Sequence, residues 1–246
     1  MNLFLAICGL LACVTADQAR RSTTRTDLGT AYLKEGNAPD AVEALREAAA
    51  LNPQNATAWE RLGLAYMASN AHELSEDAFV RAISIGSADE PARVSHNYGL
   101  LLVKLTRYEE AIAAFDATLA DLTYRTPAKA LNSKGFTLYT MGKYDEAIEV
   151  LSEAVRAVPA LCPARFHRGL AYLKTQRPEK ALNDFEGVIQ TCGDDAPGAY
   201  YHAAESLFAL GERDSGCTYL RTALRDSTAD IFAEQIRNLS AKECRR

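Results

Sequence analysis

Residues 59–66 read Trp-Glu-Arg-Leu-Gly-Leu-Ala-Tyr, and the skeleton Trp59, Leu62, Gly63, Tyr66 recurs along the chain. Leu28-Gly29 with Tyr32 repeats it one period upstream. Further glycines follow at Gly99, Gly135 and Gly169, with Ala204 in the sixth place, so the period is roughly 35 residues. A second motif trails the first at a constant offset: Ala41 with Leu45, Ala111 with Phe115, Ala147 with Leu151 and Ala181 with Phe185. The second repeat has Ser75 where alanine is expected and keeps Phe79. A period of this length marks stacked helix pairs, in which small residues let two helices approach and large ones fill the gap between them.

Proline placement checks this independently. Pro91, Pro127, Pro163 and Pro197 keep the same period, each where the first helix (A) of a pair should begin. Proline is tolerated there because its missing N–H would have no partner. Pro39 and Pro178 stand at the starts of second helices (B), and Gly36, Gly142 and Gly211 close A helices as left-handed C-terminal positions prefer. The spacing predicts helical pairs over 22–55, 56–90, 91–126, 127–160, 161–195 and 196–228. Together these motifs resemble the tetratricopeptide repeat (TPR) family. The resemblance implies an all-α, right-handed superhelical solenoid of about six TPR pairs over 22–246, with a C-terminal capping helix from about 229.

The chain has 246 residues, 48% apolar and 24% charged, which supports a core and excludes disordered and collagen-like classes. Its 27 basic and 32 acidic residues give a net charge of −5, so no nucleic-acid partner is expected. Leu3 to Ala12 is an apolar run too short to span a bilayer and the right length for the core of a signal peptide. It ends in Leu10-Leu11-Ala12-Cys13, which resembles the bacterial lipobox. That resemblance implies a lipoprotein signal peptide over 1–12, lipidation at Cys13, and an acylated N-terminus and linker over 13–21. An ordinary cleaved signal is the alternative. Val14 after the cysteine resembles outer-membrane sorting, so the expected location is the periplasmic face of the outer membrane, held by a lipid anchor.

No chemistry-bearing motif emerges. The four histidines show no metal-ligand spacing, and no G-x-S-x-G, P-loop or dinucleotide fingerprint occurs. His167 and His202 hold equivalent positions in neighbouring repeats and read as polar surface residues. The chain is expected not to be an enzyme, with no cofactor, no metal and no small-molecule substrate. Cys162, Cys192, Cys217 and Cys244 remain after export, and four cysteines allow three pairings. Cys162 begins one A helix and Cys192 ends its antiparallel B partner; Cys217 lies early in the last B helix and Cys244 just past the capping helix. Cys162–Cys192 and Cys217–Cys244 are therefore the preferred bridges in an oxidising compartment, with four free thiols as the alternative.

Two central segments narrow the family resemblance. His96-Asn97-Tyr98-Gly99 with Arg107-Tyr108-Glu109-Glu110, and Thr123-Tyr124-Arg125-Thr126-Pro127 leading into Asn132-Ser133-Lys134-Gly135, are similar to TPR lipoproteins of type IV pilus biogenesis, the Tgl/PilF pilotin group. The resemblance implies an outer-membrane assembly factor that binds the pilus secretin and promotes its localisation and multimerisation. A periplasmic TPR adaptor scaffolding a cell-envelope complex would share everything but those segments. In TPR arrays, positions 2, 5, 9 and 12 of each A helix face a concave groove. Carried onto this chain, they nominate Leu64, Met67, Leu100, Val103, Asn132, Phe136, Tyr139, Phe166, Leu170, Leu173 and Tyr201 as a protein-binding stripe. Core packing between neighbouring A helices is the competing role for these residues.

Overall fold

The computed structural model describes residues 14–86, 91–193, 197–226 and 231–244. Among the described residues there are thirteen α-helices and no strand. They fall into two compact units, Met1–Leu101 and Leu102–Arg246. The first holds α1 (Ala16–Lys34), α2 (Ala38–Leu51), α3 (Ala56–Ala68), α4 (His72–Ile85) and most of α5 (Pro91–Lys104). The second holds α6 (Tyr108–Ala120), α7 (Pro127–Thr140), α8 (Tyr144–Ala157), α9 (Cys162–Lys174) and α10 (Pro178–Cys192). It continues with α11 (Pro197–Ala209), α12 (Arg213–Asp226) and the capping helix α13 (Ile231–Glu243). From α1 to α4, and again from α6 to α13, each helix packs on its successor. A helices also touch the next A helix: α1 on α3, α7 on α9 and α9 on α11.

The signal-peptide residues and Cys13 lie outside the described residues. The stretch expected as a linker, 13–21, is helical from Ala16. Thr15 caps the helix: its hydroxyl accepts from the Gln18 backbone N–H, and the Gln18 side chain accepts from the Thr15 N–H. Such a reciprocal box satisfies two amides that would otherwise have no partner, and it starts α1 earlier than the repeat period predicts. The signal, Thr-x-x-Gln, is present in the sequence but sits in a polar run without an apolar face.

Each A helix ends on a residue with positive φ. Gly36, Gly142 and Gly211 fill that place in the first, fourth and sixth repeats (φ 76°, 79° and 83°). Asn70, Thr106 and Gln176 fill it in the other three (φ 56°, 59° and 57°). At Thr106 a β-branched side chain is held in left-handed backbone, which costs about 1–2 kcal/mol relative to glycine.

The helix pairs close through small residues facing large ones. A Cβ on Gly135 would stand 2.5 Å from Leu151 Cγ, and one on Gly169 would stand 2.8 Å from the Phe185 ring. Leu151 and Phe185 are fully buried because those glycines make room for them. Ser75 replaces alanine without loss, since its hydroxyl donates to Gly63 O at 2.8 Å. In the sixth repeat the small residue has changed sides: Ala204 stands on α11, Gly216 stands on α12, and the Phe208 ring fills the space over Gly216.

Three pairs of successive A helices are joined by side chains at one fixed pair of positions, three before the repeat glycine on one helix and two before its equivalent (Ala204 in the sixth repeat) on the next. On α3 and α5 this is Glu60 and Asn97, 2.8 Å apart, with Arg93 adding a two-pronged ion pair to the fully buried Glu60 carboxylate at 2.8 and 2.9 Å. On α7 and α9 it is Asn132 and His167, 3.0 Å apart. On α9 and α11 it is Phe166 and His202, ring centroids 5.6 Å apart.

Candidate functional site

The nominated stripe divides between the units. In the first, Leu64 and Met67 of α3 and Leu100 of α5 are half-buried on the A helices. In the second, Val103, Asn132, Tyr139, Phe166, Leu170, Leu173 and Tyr201 are half-buried, and Phe136 is 37% exposed. None of the eleven is fully buried, whereas Ala41, Leu45, Phe79, Phe115, Leu151 and Phe185 of the repeat motif are. Both proposed roles are visible in part: Phe166, Leu170 and Leu173 rest one edge on the core formed by Phe185, Val188 and Ala203 and present the other outward.

Tyr139 of α7, Leu170 and Leu173 of α9 and Tyr201 of α11 meet around a recess of about 500 Å³, closed by Lys174, His202 and Glu205 and by Gln235 of the capping helix. The A helices bring these four together because repeat positions 5, 9 and 12 superpose from helix to helix. Glu205 is the polar hub. Its carboxylate stands 2.7 Å from His202 Nδ1 and accepts a hydrogen bond from the Tyr201 hydroxyl. Burial, chiefly, and then neighbouring charge push both the Tyr139 and Tyr201 phenols above their ordinary range, so both hydroxyls remain donors. Periodicity could not find Glu205 and Gln235. Glu205 follows His202 by one helical turn, the only signal available for it; Gln235 comes from outside the repeats.

Beside the recess runs an aromatic ladder. Phe136 lies 4.6 Å from the His167 ring, and His202 stacks on Phe185 at 5.5 Å. His167 and His202, expected as polar surface residues, are packed here among rings. Burial pushes His167 down to about 4. The ring is therefore neutral at ordinary pH, and its Nδ1–H donates to Asn132 Oδ1. The nominated Asn132 is thus engaged with its neighbour through one of its two polar atoms.

Cys162 and Cys192 are joined, with Cα atoms 6.7 Å apart, and so are Cys217 and Cys244, at 5.7 Å. The second bridge ties α12 to the end of α13, the helix that supplies Gln235. Among the described residues, no group of three His, Cys, Asp or Glu is placed to hold a metal ion, and no helix is long and apolar enough to cross a membrane. The site offers apolar surface, aromatic faces and a few hydrogen-bonding groups, the equipment of a protein-binding surface.

Comparison with known proteins gives the same class. Over 120 residues the chain is 32% identical to the type IV pilus assembly protein PilF of Pseudomonas aeruginosa; the match covers 44% of this chain and 46% of PilF. The match thus spans about half the length of that relative. The solved structure of Pseudomonas aeruginosa PilF superposes with a TM-score of 0.77 over 91% of this chain and 99% of that one, at 20% identity. PilW, described as a widely conserved type IV pilus biogenesis factor, superposes with a TM-score of 0.80 over 88% and 98%, at 23% identity. The tetratricopeptide repeat model matches residues 26–91, 97–161 and 134–197. With most of its length matched and its helices paired as the repeats require, the chain belongs to the tetratricopeptide repeat family.

Proposed function

We propose that this chain is an outer-membrane lipoprotein, anchored at the periplasmic face through acyl groups on Cys13, that serves as a pilotin. It binds the type IV pilus secretin and promotes its outer-membrane localisation and multimerisation. The observation that carries this reading is the likeness over 120 residues to a type IV pilus assembly protein. The half-exposed stripe of the second unit supports it, since a TPR protein works by holding another chain. An amphipathic segment of the secretin would lay its apolar side chains on Phe136, Leu170 and Leu173, with the Tyr139 hydroxyl and the Asn132 amide donating to its backbone.

Two variants test the reading together. Phe136→Glu with Leu170→Glu should abolish recovery of secretin in a pull-down from outer membranes while helicity and melting temperature hold nearly constant. Cys13→Ser should leave the chain unprocessed or soluble, with the repeats still folded. Recovery of other envelope proteins without secretin would favour the adaptor reading. A large loss of stability in the double variant would show that the stripe is core and carries no binding site.

A further inference from the structure

The helix that closes the recess of the second unit belongs to no repeat. α13 follows the sixth helix pair and packs on α12 and α11. A terminal helix of a solenoid covers the apolar end of the last repeat. Ala233 and Ile236 do this here: both are buried, Ile236 completely, and Ile236 packs with Ala204, Leu220 and Ala223. Gln235 stands between them in sequence and faces elsewhere. One residue turns an α-helix by about 100°, so the seating of Ile236 swings its neighbour off the core. Gln235 is exposed and borders the recess shared with Tyr139, Leu170, Leu173 and Tyr201.

The polar groups of the recess are unequally engaged. Glu205 stands 2.7 Å from His202 Nδ1 and accepts from the Tyr201 hydroxyl. No described residue hydrogen-bonds the Gln235 side chain. A primary amide carries a donor and an acceptor side by side, the complement of a peptide unit's C=O and N–H. A large apolar side chain lying on Leu170 and Leu173 would carry its own backbone past that amide, and a recess of about 500 Å³ has room for both.

How firmly α13 is held decides whether Gln235 is there to be used. A helix of 13 residues is marginal on its own in water. Its described anchors lie at two places. Ile236 is one, beside Gln235. The other is the far end, roughly 13 Å along the axis at ~1.5 Å per residue, where Cys244 is bonded to Cys217 of α12. Arg213 of α12 adds a hydrogen bond to the Glu243 carbonyl there. With the bridge cut, the chain beyond Ile236 becomes a free end, and a helix this short loses the support that keeps it docked.

We infer that α13 is a wall of the partner-binding recess: Gln235 pairs with the backbone of the bound segment, and the Cys217–Cys244 bridge positions it. The segment is an extended stretch of the secretin that places one large apolar side chain in the recess; this identity rests on the function proposed above.

Secretin purified from outer membranes in detergent is the probe, titrated by interferometry against the full-length chain and its variants. Gln235→Leu, an exposed substitution of similar size, should weaken binding roughly three- to tenfold with helicity and melting temperature unchanged, and Gln235→Asn should recover part of the loss. Cys217→Ala with Cys244→Ala should weaken binding at least as much. In that background Gln235→Leu should have no further effect, since an amide already displaced has nothing left to lose. Hydrogen exchange should quicken over α13 and hold over α9 and α11. Cys162→Ala with Cys192→Ala is the matched control. It opens a loop of similar length, with Cys162 at the opposite end of α9 from Leu173, and should leave affinity within about twofold. A parent chain that does not bind secretin overturns the proposed function and this inference with it. A parent that binds, with Gln235→Leu and the bridge variant binding as tightly, overturns the inference alone. Equal weakening in the control, or loss of helicity beyond α13 in the bridge variant, overturns the positioning role of Cys217–Cys244.

Discussion

His167 should make the second unit acid-sensitive, and the size of the effect follows from its burial. Its ordinary pKa of 6.5 is lowered to about 4 in the folded chain. The unfolded chain therefore takes up a proton first as pH falls. The stability tied to the neutral ring is complete above about pH 6.5 and is lost progressively down to about pH 4, below which both states are protonated. Between pH 7.5 and 4.5 almost two pH units of that window are crossed. At ~1.36 kcal/mol per unit this removes about 2.5 kcal/mol, or roughly 5–10 °C of melting temperature for a chain of this size. The matched control is His167→Gln, whose amide can still donate to Asn132 Oδ1 but cannot titrate. At neutral pH it should cost about 1 kcal/mol, for the lost ring contact with Phe136. Urea denaturation of both proteins at pH 7.5, 5.5 and 4.5 should show the variant's deficit shrinking and then reversing as pH falls. If the variant loses the same stability as the parent across that range, the acid sensitivity belongs to other groups and the account of His167 is wrong.

Removing the Glu60 carboxylate alone, as Glu60→Leu, should cost about 2–3 kcal/mol, the lower end for a broken buried pair because Arg93 is 29% exposed and can rehydrate. Adding Arg93→Leu should restore more than half of that; a double variant as unstable as the sum of the two singles would show that the pair itself is strongly stabilising. Thr106→Gly should raise stability by about 1 kcal/mol in chemical denaturation, because relief of left-handed strain exceeds the extra freedom of the unfolded chain. A loss of stability there would mean that the threonine side chain has a role its backbone does not reveal. Non-reducing peptide mapping of exported protein should yield Cys162–Cys192 and Cys217–Cys244 peptides, each bridge closing a loop of about 30 residues and contributing ~3 kcal/mol in the chain-entropy account; a Cys192–Cys217 peptide would contradict the structure.

The helix pairs are legible because backbone sterics leave a mark at fixed positions. Gly135 and Gly169 must be bare where Leu151 and Phe185 press in, and Pro127 and Pro163 can stand only where an amide is not needed. The ends are less legible. Asn70, Thr106 and Gln176 occupy left-handed positions with no glycine to announce them, and the Thr15 box hides a helix in a polar run. The candidate site is half readable. Superposable repeat positions nominate Tyr139, Leu170, Leu173 and Tyr201, which do line one recess. Glu205 and Gln235 escape because one faces the recess by an i+3 relation and the other comes from a helix outside the period. His167 and His202 mislead for a related reason: sequence reads a histidine as polar, while the joints between A helices treat it as a ring.

Those joints bear on how such a protein can change over time. The three joints described use the same two positions with different chemistry: carboxylate with amide and guanidinium, amide with imidazole, phenyl with imidazole. Exchanging the second repeat for the fourth would set the uncharged Asn132 against Arg93 in place of the Glu60 carboxylate. It would also set Glu60 against His167, in surroundings that already resist charge. Although its backbone is periodic, the chain carries a reading order, and it can diverge by point substitution far more easily than by shuffling its parts.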